Sequence, residues 1–240
     1  VLVYGDDDIR AFPTWLEGVA ESFKDPNVAL VGGKILPDFE IEPPNWVDTL
    51  WEKTPSGRLL THFSLLDFGE EIREISPYHV FGCNYSIRKP VLQEIQGFHP
   101  DGMPGEFIML RGDGETSVSE SIHEMGYKTI YNPKASVYHF VMKERMTEDY
   151  LYHRSYIQGI SDSYTNIRKN KGIIGNELIY LTYYKNKMKI YFACLYKKNP
   201  KIYRTIQIGY LDGVRFHQET IRKKPDLVEW VLKENYLDGV

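Results

Sequence analysis

The chain has 240 residues, and 42% of them are hydrophobic, which is enough to bury one sizeable core or to form a domain with a helical appendage. Its 29 basic and 33 acidic residues give a net charge of -4, which argues against nucleic acid as the main partner. Two cysteines, Cys83 and Cys194, rule out a disulfide framework, and no run of 18 uncharged apolar residues predicts a membrane span, so we expect a cytoplasmic protein.

The first predicted strand lies at the start of the chain. Residues 1–4 form an apolar run that ends in Gly5 and three aspartates, which predicts a buried strand with acidic side chains at its carboxyl end. Ligands of open α/β sheets bind at that edge. Because no cap or lead-in precedes this strand, we expect the later part of a longer protein, without the first strands of its sheet.

A helix and a second strand are predicted next. Pro13 at a first helical position and apolar residues on one face predict the helix, and these residues are Trp15, Leu16, Val19, Ala20 and Phe23. Residues 28–31 predict the strand, which Gly32 and Gly33 end. The poor periodicity of residues 37–76 instead predicts a long irregular excursion of the kind that often forms a lid.

Regular structure is expected again from residue 78. A short helix is predicted between Pro90 and Gly97, and another over residues 115–125, with Val118, Ile122 and Met125 inward. Residues 128–131 and 135–140 predict two strands. The rest is helix-like, with breaks at residues 171–172 and 199–200, so we expect a catalytic portion over 1–142 and a helical region over 143–240.

The acidic cluster after the first strand is the sharpest chemical signal. Asp6 and Asp8 are alternate residues at a strand end, so they would point to the same side. Two adjacent carboxylates repel each other unless a cation lies between them, and a hard divalent ion satisfies that geometry. The other interpretation is a solvated turn or a cap before the helix that follows.

Two further motifs carry candidate chemistry. Residues 111–116 place Asp113 and Glu115 before a predicted helix, where a carboxylate could take a proton from a hydroxyl. The alternative is a favourable charge at a helix start. His139 ends a predicted strand and could complete the coordination of a metal held by Asp8, although a lone histidine at this place is usually structural.

Taken in order, these motifs resemble the later half of family 2 glycosyltransferases. The resemblance begins with Asp-x-Asp after a strand, followed by a helix and Gly-Gly-Lys. It continues through residues 81–88, 97–98, 112–115, 126–128, 131–133 and 137–139. It covers roughly residues 1–140, and the ordered set is more specific than any one motif.

The resemblance implies a fold and a donor site. The fold would be GT-A, a Rossmann-like mixed sheet flanked by helices, here without its first strands and with a helical C-terminal extension. Asp6 would face the donor ribose, and Asp6, Asp8 and His139 would hold Mn²⁺ or Mg²⁺. Asp7 and Gly33 are expected on the donor side as well.

The resemblance also implies a base and an acceptor side. The family's base is usually an aspartate of a Glu-Asp pair, three residues before an apolar helix position, and Glu115 lies three residues before Val118. Gly114 departs from the pair, which leaves open whether Asp113 supplies the second charge. Glu115 and Asp113 are therefore the expected catalytic residues, and Asn84 is expected on the acceptor side.

The implied reaction is a metal-dependent inverting sugar transfer. Its partners would be a UDP- or GDP-sugar donor and a saccharide or lipid-linked acceptor. Trp46 and Trp51 are candidate stacking surfaces for the acceptor, but ordinary packing explains them as well, and we leave them out of the catalytic set.

A basic, aromatic segment follows in the helical region. Residues 183–204 contain seven Lys or Arg, six Tyr or Phe, and no Asp or Glu. We favour a solvated helical pair, because charged runs usually face water. The alternative is peripheral contact with the inner face of an anionic membrane.

Two other classes of function are open. Haloacid-dehalogenase-like phosphatases also have Asp-x-Asp after a first strand and a later Gly-Asp-Gly, but they want Thr or Val where this chain has Arg10. The second class is a glycosyltransferase-like scaffold that binds saccharide or protein without turnover.

Overall fold

The computed structural model of the chain describes residues 1–98, 105–110, 112, 114–173 and 176–233. Backbone contacts divide these residues into two compact units. The first consists of Val1–Phe98 with Glu115–Met146, and the second of the described residues within His99–Gly114 and Thr147–Val240. The domain boundary predicted after residue 142 stays a prediction.

The first unit is a mixed α/β structure with eleven strands in its described residues. The strands are β1 (Leu2–Tyr4), β2 (Ile9–Ala11), β3 (Val28–Gly32), β4 (Ile35–Phe39), β5 (Glu52–Thr54), β6 (Gly57–Leu60), β7 (Leu65–Asp67), β8 (Arg73–Glu74), β9 (Tyr85–Ile87), β10 (Lys128–Tyr131) and β11 (Val137–Val141). Three helices accompany them: α1 (Trp15–Ser22), α2 (Lys89–Glu94) and α3 (Gly114–Glu124).

The strands form two mixed sheets. One has the order β1-β9-β3-β10-β8 and the other β2-β11-β4-β7-β6-β5. The pairs β3/β10 and β4/β11 are parallel, and the remaining pairs are antiparallel. The chain therefore passes from the first sheet to the second three times, and the passages from β3 to β4 and from β10 to β11 lie side by side. This agrees with the predicted GT-A-like sheet flanked by helices.

The core of the first sheet is formed by β3, β9 and α3. All five residues of β3 are buried, and Leu30 and Ile87 pack with Val118 and Ile122 of α3. Burying each such side chain contributes roughly 1.5–3 kcal/mol. The strand predicted at residues 28–31 and the inward face predicted for α3 at Val118 and Ile122 are confirmed.

The predicted burial of the first strand is wrong. β1 is a strand, but Tyr4 is 39% exposed and Val3 is exposed to a similar degree. The reason is its position at the end of the five-stranded order, where it pairs with β9. A purely apolar run of four residues does not distinguish a central strand from such a position.

The first predicted helix forms, but part of its predicted apolar face is exposed. Val19 and Phe23 pack against Val28 and Val31. Leu16 and Ala20 are exposed, contrary to the prediction. The helix starts at Trp15, so Pro13 lies before its N-cap residue and not at its first position.

The excursion predicted for residues 37–76 is also wrong. This segment completes β4 and contains β5 to β8. The strands are two to four residues long in β5 to β8, which is shorter than the window over which a period of two becomes visible. Short 3₁₀ turns and Gly57, with φ of +147°, separate them further.

The later elements agree with prediction more closely. Helix α2 has Pro90 in its first turn, and Gly97 and Gly126 adopt φ of +85° and +72° after α2 and α3. β10 has the predicted bounds, whereas β11 begins two residues later than predicted. Met125 lies beyond the end of α3 and is exposed, so its predicted inward position is wrong.

The second unit is helical. Its helices are α4 (Glu148–Lys169), α5 (Asn176–Cys194), α6 (Pro200–Arg222) and α7 (Pro225–Leu232). Lys171 has φ of +49° after α4, and the Asn199 side chain accepts from the Ile202 N–H at the start of α6, so both predicted breaks are confirmed. No helix of the described part of the chain is long and apolar enough to cross a membrane.

Glycines bring α4 and α6 into close contact. A Cβ at Gly159 would lie 2.2 Å from the carbonyl oxygen of Tyr210, and one at Gly213 would lie 2.0 Å from that of Tyr156. Both distances are far below van der Waals contact with backbone atoms that cannot easily move. The helix pair therefore requires residues without a side chain at these positions.

Candidate functional site

Asp8 is placed next to His139 by the register of the second sheet. Strand β2 begins one residue after Asp8 and pairs antiparallel with β11, where Ile9 lies opposite His139. The Phe140 N–H donates to the Asp8 carbonyl oxygen at 2.9 Å, which continues the pairing by one residue. Two residues that are far apart in sequence are thus held at one end of the β2/β11 pair.

The hydrogen bonds of the buried His139 assign its tautomer. Its Nδ1 lies 2.9 Å from the carbonyl oxygen of Phe63, which can only accept, so Nδ1 carries the proton. Its Nε2 lies 3.1 Å from Nη1 of Arg145, which can only donate, so Nε2 presents a lone pair. His139 is therefore a neutral imidazole with the Nε2 lone pair towards Asp8, the form that binds metals.

The carboxylate of Asp8 has one oxygen satisfied and one not. Arg145 Nη2 donates to Oδ2 at 2.9 Å. Oδ1 is buried, has no hydrogen-bond partner among the described residues, and lies 3.3 Å from Nε2 of His139. Because Nε2 is unprotonated, this contact brings two lone pairs together, and leaving a buried acceptor unpaired costs about 1–3 kcal/mol.

Asp6 completes a group of three potential ligands. One ligand atom each from Asp6, Asp8 and His139 can be chosen so that all lie within 4.8 Å of one another. Two carboxylates and an imidazole are suitable for Mn²⁺, and the oxygen ligands for Mg²⁺ as well. A cation there would satisfy Oδ1 of Asp8 and would take the Nε2 lone pair in place of the Arg145 donor, so these residues fit the expected ion.

Asp7 differs from its two neighbours. It is exposed and is not part of the three-residue group. Residues 7 and 8 lie in a turn between β1 and β2, so the grouping of Asp6 with Asp8 results from this turn and not from the predicted strand alternation. Its expected contact with the donor stays a prediction.

The pKa of the Cys83 thiol is affected by burial, by both aspartates of the group and by Glu115. Burial raises the pKa of this thiol, and the carboxylates of Asp6, Glu115 and Asp8 raise it further. The thiol is therefore protonated at neutral pH, which makes it a poor nucleophile or metal ligand. Its shift also indicates that all three carboxylates lie close enough to act on one buried sulfur atom.

Glu115 is held at the start of α3 by the backbone of Gly82. The Gly82 N–H donates to Oε2 at 3.0 Å, and a Cβ at Gly82 would lie 2.0 Å from Oε1. Glycine is thus the residue that leaves room for this carboxylate. Asp113, the second expected catalytic residue, lies outside the described residues.

Asn84 is buried and makes two hydrogen bonds within the first unit. It is 1% exposed, its Oδ1 accepts from Trp15 Nε1 at 2.9 Å, and its Nδ2 donates to the Ala135 carbonyl oxygen at 2.9 Å. The side chain therefore links α1 to the turn between β10 and β11. Its expected place on the acceptor side stays a prediction.

Gly33 lies where the segment between β3 and β4 passes the segment between β10 and β11. It is buried, and a Cβ there would lie 1.9 Å from the carbonyl oxygen of Ala135 and 2.8 Å from that of Asn132. The close approach of these two segments therefore requires a residue without a side chain. The expected contact of Gly33 with the donor stays a prediction.

Arg145 is the residue that the sequence analysis missed. It ends a 3₁₀ turn six residues after His139 and contacts both that histidine and Asp8. Its charge offsets that of Asp8 and orients both side chains. A single arginine outside any motif carries no signal in the sequence, so only its contacts identify it.

The two tryptophans considered for acceptor stacking are half-buried. The guanidinium of Arg58 lies 4.6 Å from the ring centroid of Trp51, a cation–π contact within the chain. Trp46 precedes a 3₁₀ turn and accepts from the Thr49 hydroxyl through its carbonyl oxygen. Packing against Arg58 accounts for Trp51, and a role of either ring in acceptor stacking stays a prediction.

Comparison with known proteins gives one informative similarity. No protein-family model matches the chain, so membership of family 2 stays a resemblance. A curated relative, the glucosyl-dolichyl phosphate glucuronosyltransferase of Haloferax volcanii, is 29% identical over 161 residues, which are 65% of this chain and 48% of the relative. The chain thus spans about half the length of the curated relative it matches, and it is similar to a glycosyltransferase over the greater part of its own sequence.

Proposed function

We propose that this chain is the catalytic portion of a metal-dependent glycosyltransferase that moves a sugar from a UDP- or GDP-sugar to a hydroxyl acceptor. The observation that carries the proposal is the buried, unpaired Oδ1 of Asp8 facing the Nε2 lone pair of His139. The similarity to a glucuronosyltransferase supports the class of reaction. The mixed sheets agree with a GT-A-like fold.

Asp6, Asp8 and His139 would hold Mn²⁺ or Mg²⁺ in this function. A bound ion supplies positive charge that stabilises the leaving nucleoside diphosphate. Arg145 keeps Asp8 and His139 oriented, and its charge lowers the repulsion between Asp8 and a diphosphate. The exposed carboxylate of Asp6 is the ligand most accessible to the donor, where it would also meet the ribose.

Glu115 would act as the general base. As the acceptor hydroxyl attacks the anomeric carbon, its proton passes to the Glu115 carboxylate, and the bond from that carbon to the diphosphate oxygen breaks. Attack opposite the leaving group inverts the anomeric configuration. The hydrogen bond from Gly82 orients the carboxylate for this step, and Asp113 is proposed as the second acidic group nearby.

The acceptor is proposed to be a lipid-linked saccharide. The relative is named for glucosyl-dolichyl phosphate, a sugar carried on a lipid phosphate. A hydroxyl of such a sugar is the kind of nucleophile that Glu115 would deprotonate. Since the chain spans about half of that relative, the contacts that select donor base and acceptor sugar are left open.

The decisive experiment measures donor binding and transfer in the Glu115→Gln variant. Calorimetry with UDP, GDP and Mn²⁺ should show nucleotide binding that requires the metal and that the variant retains. Transfer from a panel of UDP- and GDP-sugars to lipid-linked saccharide should fall at least about a hundredfold, the usual contribution of a general base. The exposed Glu124→Gln on the same helix is the matched control.

Three outcomes would oppose the proposal. No heat with either nucleotide would favour a non-catalytic scaffold. Phosphate release from aryl phosphates that Asp6→Asn abolishes would favour a phosphatase. Unchanged transfer in Glu115→Gln would remove the base assigned here.

A further inference from the structure

Helix α5 has two apolar faces. One packs within the second unit, where Tyr183 and Ile190 contact Leu211 of α6. The other is exposed and consists of Leu181, Tyr184, Met188 and Phe192, and together with Leu195, which directly follows the helix, we call these residues the α5 stripe. The two ends of the stripe, Leu181 and Leu195, are 66% and 74% exposed.

The α5 stripe is continuous along the helix. Its members are spaced three, four, four and three residues apart, which places the first four on one side of α5 over about three turns, with Leu195 directly after the helix. Single exposed apolar residues are ordinary on protein surfaces, but a contiguous row is typical of an interaction surface. The described residues of the second unit leave the stripe exposed, so its burial against an apolar partner would be favourable.

The border of the α5 stripe is basic. Lys185 and Lys189 follow it along one side and are exposed. Residues 178–211 contain seven Lys or Arg and no Asp or Glu, so no acidic side chain from this stretch neutralises them. Four of the seven cations are used within the unit, since Lys187, Lys197 and Arg204 lie over tyrosine rings and Lys201 pairs with Glu148.

We propose that the α5 stripe binds the surface of an anionic lipid bilayer, with the helix axis in the plane of the interface. The apolar side chains would enter the boundary between head groups and acyl chains. Lys185 and Lys189 have long apolar stems, so they would reach back to the lipid phosphates. The charge complementarity selects this occupant, because an apolar row with the exposed Lys185 and Lys189 along one side matches a surface that is apolar inside and anionic outside.

A second copy of the chain is a poorer occupant. In a two-fold contact through the α5 stripe, the exposed Lys185 and Lys189 of both copies would add like charges to the border of the interface. Like charges at such an interface lower affinity. The sequence alone favoured a solvated helical pair, and the exposed apolar row is what the structure adds.

The test uses the full 240-residue chain and flotation with vesicles. We expect it to float with phosphatidylcholine vesicles that contain phosphatidylserine, and to float far less with pure phosphatidylcholine. Raising the salt concentration should weaken binding, because the lysine contribution is screened. Vesicle binding needs no sugar transfer, so its failure leaves the proposed catalytic function untouched.

Two substitutions and a control make the test specific. Met188→Glu with Phe192→Glu should lower vesicle affinity more than tenfold, since both positions are exposed and the fold does not bury them. Lys185→Gln and Lys189→Gln should each lower it about fivefold. Ile157→Glu, at an exposed apolar position on α4, should leave it unchanged, and circular dichroism verifies that each variant is folded.

Three results would overturn the proposal. One is the absence of flotation with anionic vesicles. Another is equal flotation with both kinds of vesicle, which would remove the role of the lysines. The third is a dimer in analytical ultracentrifugation that Met188→Glu dissociates, because the stripe would then be an interface between copies of the chain.

Discussion

Nε2 of His139 lies 3.3 Å from Oδ1 of Asp8, and neither atom has a proton to share with the other. The neutral imidazole donates its only N–H, at Nδ1, to the carbonyl oxygen of Phe63. Arg145 donates to Oδ2 of the aspartate but not to Oδ1. Two buried lone pairs at this distance are unfavourable in the free protein. A divalent cation between the two atoms would replace this repulsive contact with two metal–ligand bonds.

Asp8→Asn should therefore weaken metal binding without weakening the fold. The amide of asparagine can donate a hydrogen bond to Nε2 of His139, which removes the unfavourable contact and also a charged ligand. We expect the Kd for Mn²⁺ to rise at least about tenfold, while the Tm of the metal-free protein stays equal or rises. Calorimetry and thermal unfolding measure the two quantities.

Asp38→Asn is the matched control for that variant. Asp38 lies on β4 of the same sheet and pairs with Arg10 on the surface. The Kd of the Asp38→Asn variant for Mn²⁺ should equal that of the unmodified chain. Equal Mn²⁺ affinity in Asp8→Asn and the control would contradict the assigned site.

Arg145→Met should increase the rise in Tm that added Mn²⁺ causes. Arg145 supplies the positive charge at Oδ2 of Asp8 and donates to Nε2 of His139, so its loss leaves both groups unpaired, at about 1–3 kcal/mol each. Mn²⁺ binds the same Nε2 and should recover more Tm in the variant than in the unmodified chain. The same Tm shift in both proteins would mean that Arg145 and the metal do not act on common ligands.

Gly82→Ala should lower the transfer rate by displacing Glu115. The added methyl group would lie 2.0 Å from Oε1, and the end of a glutamate side chain can move away from it more easily than backbone can. We expect kcat to fall by about a hundredfold with little change in Tm, since the base leaves its position but the fold does not. Combining Gly82→Ala with Glu115→Gln should cost little beyond either change alone, and additive losses would show that they act separately.

The stability of the second unit should fall in mild acid because of His217. Burial lowers the pKa of this 0% exposed imidazole to about 4, from the usual 6.5. Below pH 6.5 the unfolded chain takes up a proton that the folded chain takes up only near pH 4, so stability is lost as the pH falls through that window. Between pH 6.5 and 5 the loss is about 2 kcal/mol, at 1.36 kcal/mol per pKa unit.

Denaturant unfolding at several pH values, followed by helical circular dichroism, measures this loss. His217→Gln should be less stable at neutral pH but should lose less on acidification. His153→Gln, at an exposed position on α4, is the control and should keep the full pH dependence. Burial also lowers the pKa of His79, so a smaller slope of the same sign is expected from the first unit.

The sequence by itself determined the elements whose pattern is long or strongly marked. The buried run of β3, the inward spacing of Val118 and Ile122 on α3, and the break at Asn199 are all local features, and each was predicted. Asp6 and Asp8 were singled out by their spacing after an apolar run, and the structure groups them, although through a turn and not through strand alternation. Local spacing suffices for such features because each depends on residues a few positions apart.

Only the tertiary structure decided which distant residues meet. The register between β2 and β11 brings Asp8 to His139 and Arg145, while the close crossings between the two sheets bury Gly33 and Asn84 against Ala135. The sequence analysis also did not predict the short strands β5 to β8 or the exposed apolar face of α5, because both depend on contacts between distant segments. Strand pairing and helix packing depend on contacts across the whole chain. The residue spacing within one segment does not show which distant segment it will contact.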